Sequence, residues 1–221
     1  MARDRFLLRL FCIFVGAWLL IPAARANPPG ATITYRRVFK GSNPEFIEIK
    51  ISDQGNCTFD IRQLDEDADP ETFEVGPTVR KGIFDLAADL KNFAIPSIDI
   101  QKKIANLGQK TFRYEKGSEA HETSFNYTTN PTAAQLMQIF EGLARQQQDL
   151  SLLQRQAKYD RLGVNDALMQ FESDMDHRLL PEPERLLPIL DQIAADSHFV
   201  EIARTRARAL AERIRNSHDA K

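Results

Sequence analysis

The sequence predicts an α+β protein: an antiparallel sheet of five or six strands with two packed helices, followed by an all-helical C-terminal tail. Apolar and polar residues alternate in several short runs before about residue 130, which is typical of strands. Beyond that point the apolar residues recur three and four positions apart, which is typical of helices. We therefore divide the chain into a signal peptide over 1–26, a sheet domain over 27–145 and a helical tail over 146–221.

The N-terminus has the three parts of a bacterial secretory signal peptide. Arg3 and Arg5 precede an apolar run over 10–21, and small residues at Ala24 and Ala26 fit a cleavage site before Asn27. The alternative is an uncleaved membrane anchor. The apolar run from 10 to 24 has 15 residues, whereas about 20 are needed to cross a bilayer. Export with cleavage after Ala26 is the prediction, and periplasm and external medium stay equally open as destinations.

The composition of the mature chain excludes some partners. Cleavage removes four Arg and one Asp, which leaves 25 basic and 30 acidic residues and a net charge of −5. Neither half carries the clustered Lys and Arg of a nucleic-acid site, and no further apolar stretch is long enough to span a membrane. Cys57 is the only cysteine after residue 26, so no internal disulfide is expected.

The first strands are predicted from alternation. A β-branched and aromatic run occupies 31–38, and two alternating runs over 46–51 and 57–62 flank a Gly-containing turn at 53–56. This arrangement indicates a hairpin with one buried face. The side chains expected on that face are Ile47, Ile49, Ile51, Cys57, Phe59 and Ile61.

The next segments combine helix and strand signals. A short strand is expected over 72–75 and a helix over 79–93, with Thr78 as its N-cap. The segment 94–108 is either a short helix or an ordered connection. A second hairpin is expected from 111–114 and 121–127, and its aromatic residues suggest cross-strand pairs.

Asn130 and Pro131 mark the start of the helical part as cap and first helical residue. The apolar spacing then predicts one helix to about residue 145. Pro188 either kinks a later helix or falls in its opening turn. Four further helices are predicted over 150–161, 165–178, 184–195 and 199–216.

An acidic loop is the one candidate metal site. Asp65, Asp67 and Asp69 have the spacing of the first ligands in a calcium-binding EF-hand loop. However, Pro70 and Gly76 stand where that loop needs its glycine and its bidentate glutamate. These residues are therefore weak calcium candidates, and we expect no other metal site and no cofactor.

A Cys–His pair is the second candidate, since such a pair can act as a nucleophile. Cys57 and His121 are each expected on a strand, which could be central. Cys57 shares its predicted face with Phe59 and Ile61, which favours a buried, inert thiol. The other histidines lack a converging set of ligands: His177 beside Glu172, Asp174 and Asp176, then His198 and His218.

The last helix is basic on one side and apolar on the other. Its arginines permit attachment to an anionic surface, but an amphipathic helix packed on the core is the commoner structure for this pattern. The apolar side consists of Ala203, Ala207, Leu210, Ala211 and Ile214.

Two functions are compatible with these patterns. The first is a non-enzymatic exported protein: either one that binds another extracytoplasmic protein through the sheet face or the helical tail, or one that is associated with the cell envelope. The second is a secreted hydrolase in which Glu48, Asp60 and Glu122 converge on the outer face of the sheet, since paired carboxylates can perform acid–base chemistry.

Cleavage of the signal peptide has a simple spectroscopic consequence. Trp18 is the only tryptophan of the chain, and all four tyrosines lie beyond residue 26. The exported protein should therefore show tyrosine emission without tryptophan emission, and its intact mass should correspond to a chain that starts at Asn27. A secreted form that still begins at Met1 would contradict the prediction.

Overall fold

The computed structural model describes the backbone of residues 30–219 and the side chains as far as Ser217. The predicted signal peptide over 1–26 and the side chain of His218 lie outside these residues. Within them, the fold is a six-stranded antiparallel sheet, two helices packed on it and a helical C-terminal region. The fold class predicted from the sequence is confirmed.

The six strands run antiparallel in the order β4-β3-β2-β1-β5-β6. The first strand therefore lies in the middle and pairs with the two hairpins that follow it. The strands are β1 (Thr32–Val38), β2 (Phe46–Ser52), β3 (Cys57–Arg62), β4 (Glu71–Phe73), β5 (Gln109–Lys116) and β6 (Glu119–Phe125).

The hairpin of β2 and β3 has the predicted register. Ile49 lies opposite Phe59, and Ile51 lies opposite Cys57. All three isoleucines of β2 are buried beneath the helices, while Glu48 lies opposite Asp60 on the other face. A slip of one residue would exchange the two faces, so the burial of the isoleucines fixes this register.

The second hairpin is confirmed, and its aromatic contact is diagonal. Phe112 of β5 lies directly opposite Thr123 of β6, and its ring packs on Phe125 with 5.3 Å between centroids. The turn uses Gly117, whose φ of 60° favours glycine. Tyr127 lies beyond the end of β6 and is exposed.

The first helix, α1 (Pro77–Asp89), begins two residues earlier than predicted and ends four residues earlier. Gly76 is its N-cap, without a side-chain cap, so the assignment of Thr78 as the N-cap was wrong. Proline is favoured as the first helical residue because its φ suits the helix and its missing N–H is not needed there. After α1 the chain turns through left-handed residues at 91–93, which brings Phe93 against Phe112 beneath the sheet.

The segment 94–108 is an ordered connection without a regular helix. Asp99 holds it to the end of β6, because its Oδ1 accepts hydrogen bonds from the backbone N–H groups of Asn126 and Tyr127 at 3.0 and 3.1 Å. Of the two structures that the sequence left open, the connection is the one that forms.

The second helix, α2 (Pro131–Tyr159), is a single helix of 29 residues. Separate helices ending near 145 and starting at 150 were therefore a wrong prediction. Asn130 caps the helix as expected, since its side chain accepts from the backbone N–H of Ala133 at 3.0 Å. The polar run over 145–149 contains no helix breaker, so the helix continues through the boundary that we drew at 145.

The remaining helices surround a second apolar core that begins with Leu153 of α2. They are α3 (Val164–Asp176), α4 (Leu187–Ala195) and α5 (Glu201–Asp219), with a short 3₁₀ turn before α4. Pro188 lies in the opening turn of α4, where proline is tolerated. In the described range 30–219, no helix has both the length and the apolar character that crossing a membrane requires.

The loop after α3 fastens the helical region to the sheet domain. A Cβ atom added at Gly142 of α2 would lie 2.6 Å from the carbonyl oxygen of Leu179 and 2.9 Å from Pro181. In the same loop Glu182 accepts a hydrogen bond from the backbone N–H of Gly76 at 2.7 Å. The absence of a side chain at Gly142 lets this loop lie directly on α2.

Substitution of Gly142 tests this close approach. We expect Gly142→Ala to lower the free energy of unfolding by roughly 1–3 kcal/mol, because backbone atoms must shift to admit the methyl group. Gly82→Ala in α1 is the matched control, since a Cβ there meets no atom within 4 Å and should stabilise the helix by roughly 0.5–1 kcal/mol. Urea unfolding of both variants makes the comparison, and equal effects would contradict it.

Candidate functional site

The acidic loop between β3 and β4 does not gather its carboxylates. Asp65, Asp67 and Asp69 are all exposed. Within residues 30–219, no three His, Cys, Asp or Glu side chains come close enough together to hold a metal ion. Calcium binding by this loop stays a weak prediction, because the described carboxylates of the loop do not converge on one point.

Cys57 and His121 lie on separate strands at opposite sides of the sheet. Cys57 on β3 is buried, and burial raises the pKa of its thiol. His121 is on the edge strand β6, where it faces Glu119 at 3.1 Å. Four strand spacings separate them, which is roughly 19 Å. His121 is thus not on a central strand, and the two residues cannot form a nucleophilic pair.

The three carboxylates proposed for a hydrolase are only partly brought together. Glu48 and Asp60 lie side by side on the outer face, whereas Glu122 is three strand spacings from Glu48, roughly 14 Å. Glu48 pairs with Lys50 at 2.9 Å and with Arg36 at 2.6 Å. These ion pairs outweigh partial burial, so the pKa of Glu48 lies below its usual value.

Three arginines of α5 pair with neighbouring helices, and the helix packs on the core as predicted. Its apolar side is buried. Arg206 and Arg213 both pair with Glu172 of α3, and Arg215 pairs with Asp191 of α4 at 2.6 Å. Sequence spacing alone did not reveal these contacts, because the partners are 24–41 residues away.

A groove runs along α2 where the helix passes the loop between β1 and β2, and we call it the α2 groove. It consists of two adjoining cavities of about 480 and 620 Å³, which share Asn43, Pro44 and Gln148 in their walls. The first cavity is lined mainly by polar side chains, among them Arg37, Gln138, Glu141, Arg145, His177 and Arg178. The second contains Arg62, Gln63, Glu66, Glu71, Gln147, Ser151 and Arg155.

Glu141 connects the sheet to α2 at the floor of the groove. It accepts hydrogen bonds from the Tyr35 hydroxyl and from Nη1 of Arg37, the latter at 2.9 Å. Burial, and then the nearby Glu141 charge, raise the pKa of the Tyr35 phenol well above its usual range. Glu141 is therefore committed to two partners more than 100 residues away in sequence.

A pair of buried carboxyl groups lies behind the groove wall. Arg145 contacts Asp174 at 3.2 Å, and Gln170 donates to the same carboxylate at 3.2 Å. Asp149 is 5% exposed. Burial and then repulsion by Asp174 raise its pKa to about 7, although Arg145 opposes the shift. Asp149 therefore keeps its proton to a higher pH than an exposed aspartate does.

Arg178 forms one end of the groove and has an unusual backbone. Its φ is 55°, a left-handed conformation that is costly for any residue with a Cβ. The side chain is exposed and also borders a neighbouring cavity next to Arg213. His177, the preceding residue, forms no hydrogen bond with a carboxylate among the described residues. Its Nδ1 lies 2.7 Å from the carbonyl oxygen of Ser173 in its own helix.

Sequence patterns did not identify this groove. Its residues come from β1 to β4 and the loops between them, from α2 and from the turn at 177–179. The available signal was the polar run over 145–149 inside a helix, which falls in the gap between two of the predicted helices. A polar stretch in the middle of a long helix can equally mark the place where it crosses a groove.

The proton on Asp149 makes stability depend on pH. An unfolded aspartate loses its proton near 3.8, while the folded one keeps it to about pH 7. Folding therefore retains a proton in this interval, and stability should fall as pH rises from about 4 to about 7 and then level off.

Asp149→Asn isolates this effect. The neutral amide should make the protein more stable than wild type by a few kcal/mol above pH 7, and the difference should shrink toward pH 4. Urea unfolding across this range makes the measurement, with the exposed Asp67→Asn as control. Parallel pH profiles for wild type and Asp149→Asn would contradict the assignment of the proton.

No family model matches this chain, and none of the curated proteins does. Any function of the α2 groove is therefore inferred from its own geometry.

Proposed function

We propose that this chain is an exported, non-enzymatic binding protein whose α2 groove holds an extended segment of another extracytoplasmic protein. The groove itself carries the proposal. Its two cavities adjoin along one face of a single helix, and their walls alternate charged, amide and apolar side chains. Export rests on the residue pattern at 1–26.

The dimensions of the groove favour a chain segment as its occupant. The residues of α2 that line it extend from Gln138 to Arg155, a span of roughly 26 Å at the usual helical rise. An extended peptide covers that distance with about eight residues. A compact small molecule is less well matched, because such ligands favour enclosed and largely apolar pockets.

The titratable groups of the groove favour binding over catalysis. Glu141 is bonded to Tyr35 and Arg37, and His177 lies against a backbone carbonyl. A general base needs a free position near a reacting group. The hydrolase alternative uses Glu48 and Asp60, yet each of them is ion-paired on the open face of the sheet.

The outer sheet face and the outside of the tail are weaker candidates for the binding surface. Neighbouring side chains on the sheet face satisfy one another, as in the contacts of Arg113 with Glu115 and Glu122. Exposed ion pairs of this kind add little to association. The groove instead offers concave walls with side chains that point toward a shared space.

Site-specific photo-cross-linking in the native host tests this function. A photoreactive residue at Gln148 or Ser151, both exposed in the groove, should yield one and the same adduct, identified by mass spectrometry. The same probe at Glu122 on the sheet or at Arg208 on α5 is the matched control and should not yield it. Adducts of equal yield from all four positions would refute the groove as the binding site.

A further inference from the structure

The geometry points to Arg178 as the residue that binds a carboxylate of an acidic segment of the partner protein, at the α3 end of the α2 groove. This inference rests on the proposed function and names the chemistry of the occupant. It comes from the position of Arg178 in the helix end and from the charges that line the first cavity.

Arg178 occupies the place where a helix end normally has glycine. His177 is the C-cap of α3. The backbone N–H of Arg178 donates to the carbonyl of Met175, and that of Leu179 donates to the carbonyl of Asp174, both at 3.0 Å. These two bonds define a Schellman motif, in which the residue after the C-cap is left-handed and is usually glycine.

The arginine is therefore kept at a position where glycine would make the fold more stable. A left-handed residue with a Cβ is strained, and such strain tends to persist where a side chain has a role in binding or catalysis. Among the residues that the structure describes, no carboxylate lies within ion-pair distance of Arg178. The guanidinium of Arg178 therefore forms no ion pair, within the described residues, that would offset the cost of its left-handed backbone.

The charges around the first cavity favour an anion. Three guanidinium groups line it, from Arg37, Arg145 and Arg178, and Glu141 is the one carboxylate in its wall. Glu141 is neutralised by Arg37 at 2.9 Å, and Arg145 shares the buried Asp174. Arg178 is left with an uncompensated positive charge next to a half-exposed Arg145. Guanidinium groups pair with carboxylates through two parallel hydrogen bonds.

An acidic peptide segment fits both the charge and the shape. The groove accommodates an extended chain, and a glutamate or aspartate in that chain would reach Arg178 at the end of the groove nearest to the loop over Gly142. Side chains and a chain terminus both offer a carboxylate, so the experiment includes both sources.

The test measures affinity and stability in the same variants of the mature full-length protein. The probe is a fluorescein-labelled, end-capped peptide of about eight residues that alternates Glu and Ala, followed by fluorescence anisotropy. Two control probes replace every Glu by Gln. One of them has capped ends, and the other has a free C-terminal carboxylate. Variants Arg178→Gly and Arg178→Lys are compared with Arg208→Ala, an exposed arginine of α5 outside the groove.

We expect the acidic peptide to bind and the Gln peptides to have a Kd at least tenfold higher. A tenfold change in Kd is about what the loss of one hydrogen bond to a charged group causes. Arg178→Gly should weaken binding of the acidic peptide roughly tenfold while raising Tm by roughly 2–4 °C. Arg178→Lys keeps the charge but cannot form the two parallel hydrogen bonds, so it should bind between wild type and Arg178→Gly. Arg208→Ala should leave both quantities at wild-type values.

Three results would overturn the inference: equal affinity of Arg178→Gly and wild type, a Gln peptide with a free C-terminus that binds as tightly as the acidic one, or a lower Tm for Arg178→Gly. Its failure is separable from that of the proposed function. If Gln148 and Ser151 cross-link a common partner while the acidic peptide fails to bind, only the carboxylate assignment falls. If the peptide binds through Arg178 but cross-linking is not confined to the groove, the proposed function falls instead.

Discussion

The continuity of α2 is the constraint on which the rest of this structure depends. Its first half buries Leu136 and Phe140 beneath the sheet, where Phe140 stacks on Tyr35 with 5.3 Å between ring centroids. Its second half places Leu153 in the core of the helical region. Since one rigid helix contributes to both cores, the two layers are held at a defined spacing, and a groove results wherever they do not meet.

The polar residues between the two cores follow from this arrangement. A helix that passes from one core to another has a middle section that faces neither. Here that section carries Arg145 and Gln148 toward the groove, while Gln146 and Asp149 turn inward. The inward pair is costly to bury. Glu182 partly compensates, because its backbone N–H donates to Gln146 at 3.0 Å while its carboxylate is bonded to Gly76.

Local patterns predicted the sheet, and contacts between distant residues decided the rest. The register of β2 with β3 was predictable because alternation fixes which side chains are buried. The joining of two predicted helices into α2 was not, since the interpretation of a polar stretch depends on what packs beside it. The left-handed turn at 91–93 depends similarly on Phe112, which gives Phe93 its buried position. Candidate residues chosen by type, such as Cys57 and His121, failed because strand order is not local information.

Two unfavourable features lie at the same end of the groove, and their proximity needs a common explanation. Asp149 keeps a buried proton behind Arg145, and Arg178 adopts a backbone that glycine would adopt more easily. Asp149 and Arg178 belong to neither of the two cores, which consist of apolar side chains. Natural proteins tolerate such costs while they remain above the stability that function needs, and strained backbone conformations cluster at binding and active sites. The proposed binding function would account for both features. Asp174 contacts Arg145 at 3.2 Å behind the groove wall, a proton on Asp149 limits the negative charge there, and Arg178 extends the positive surface.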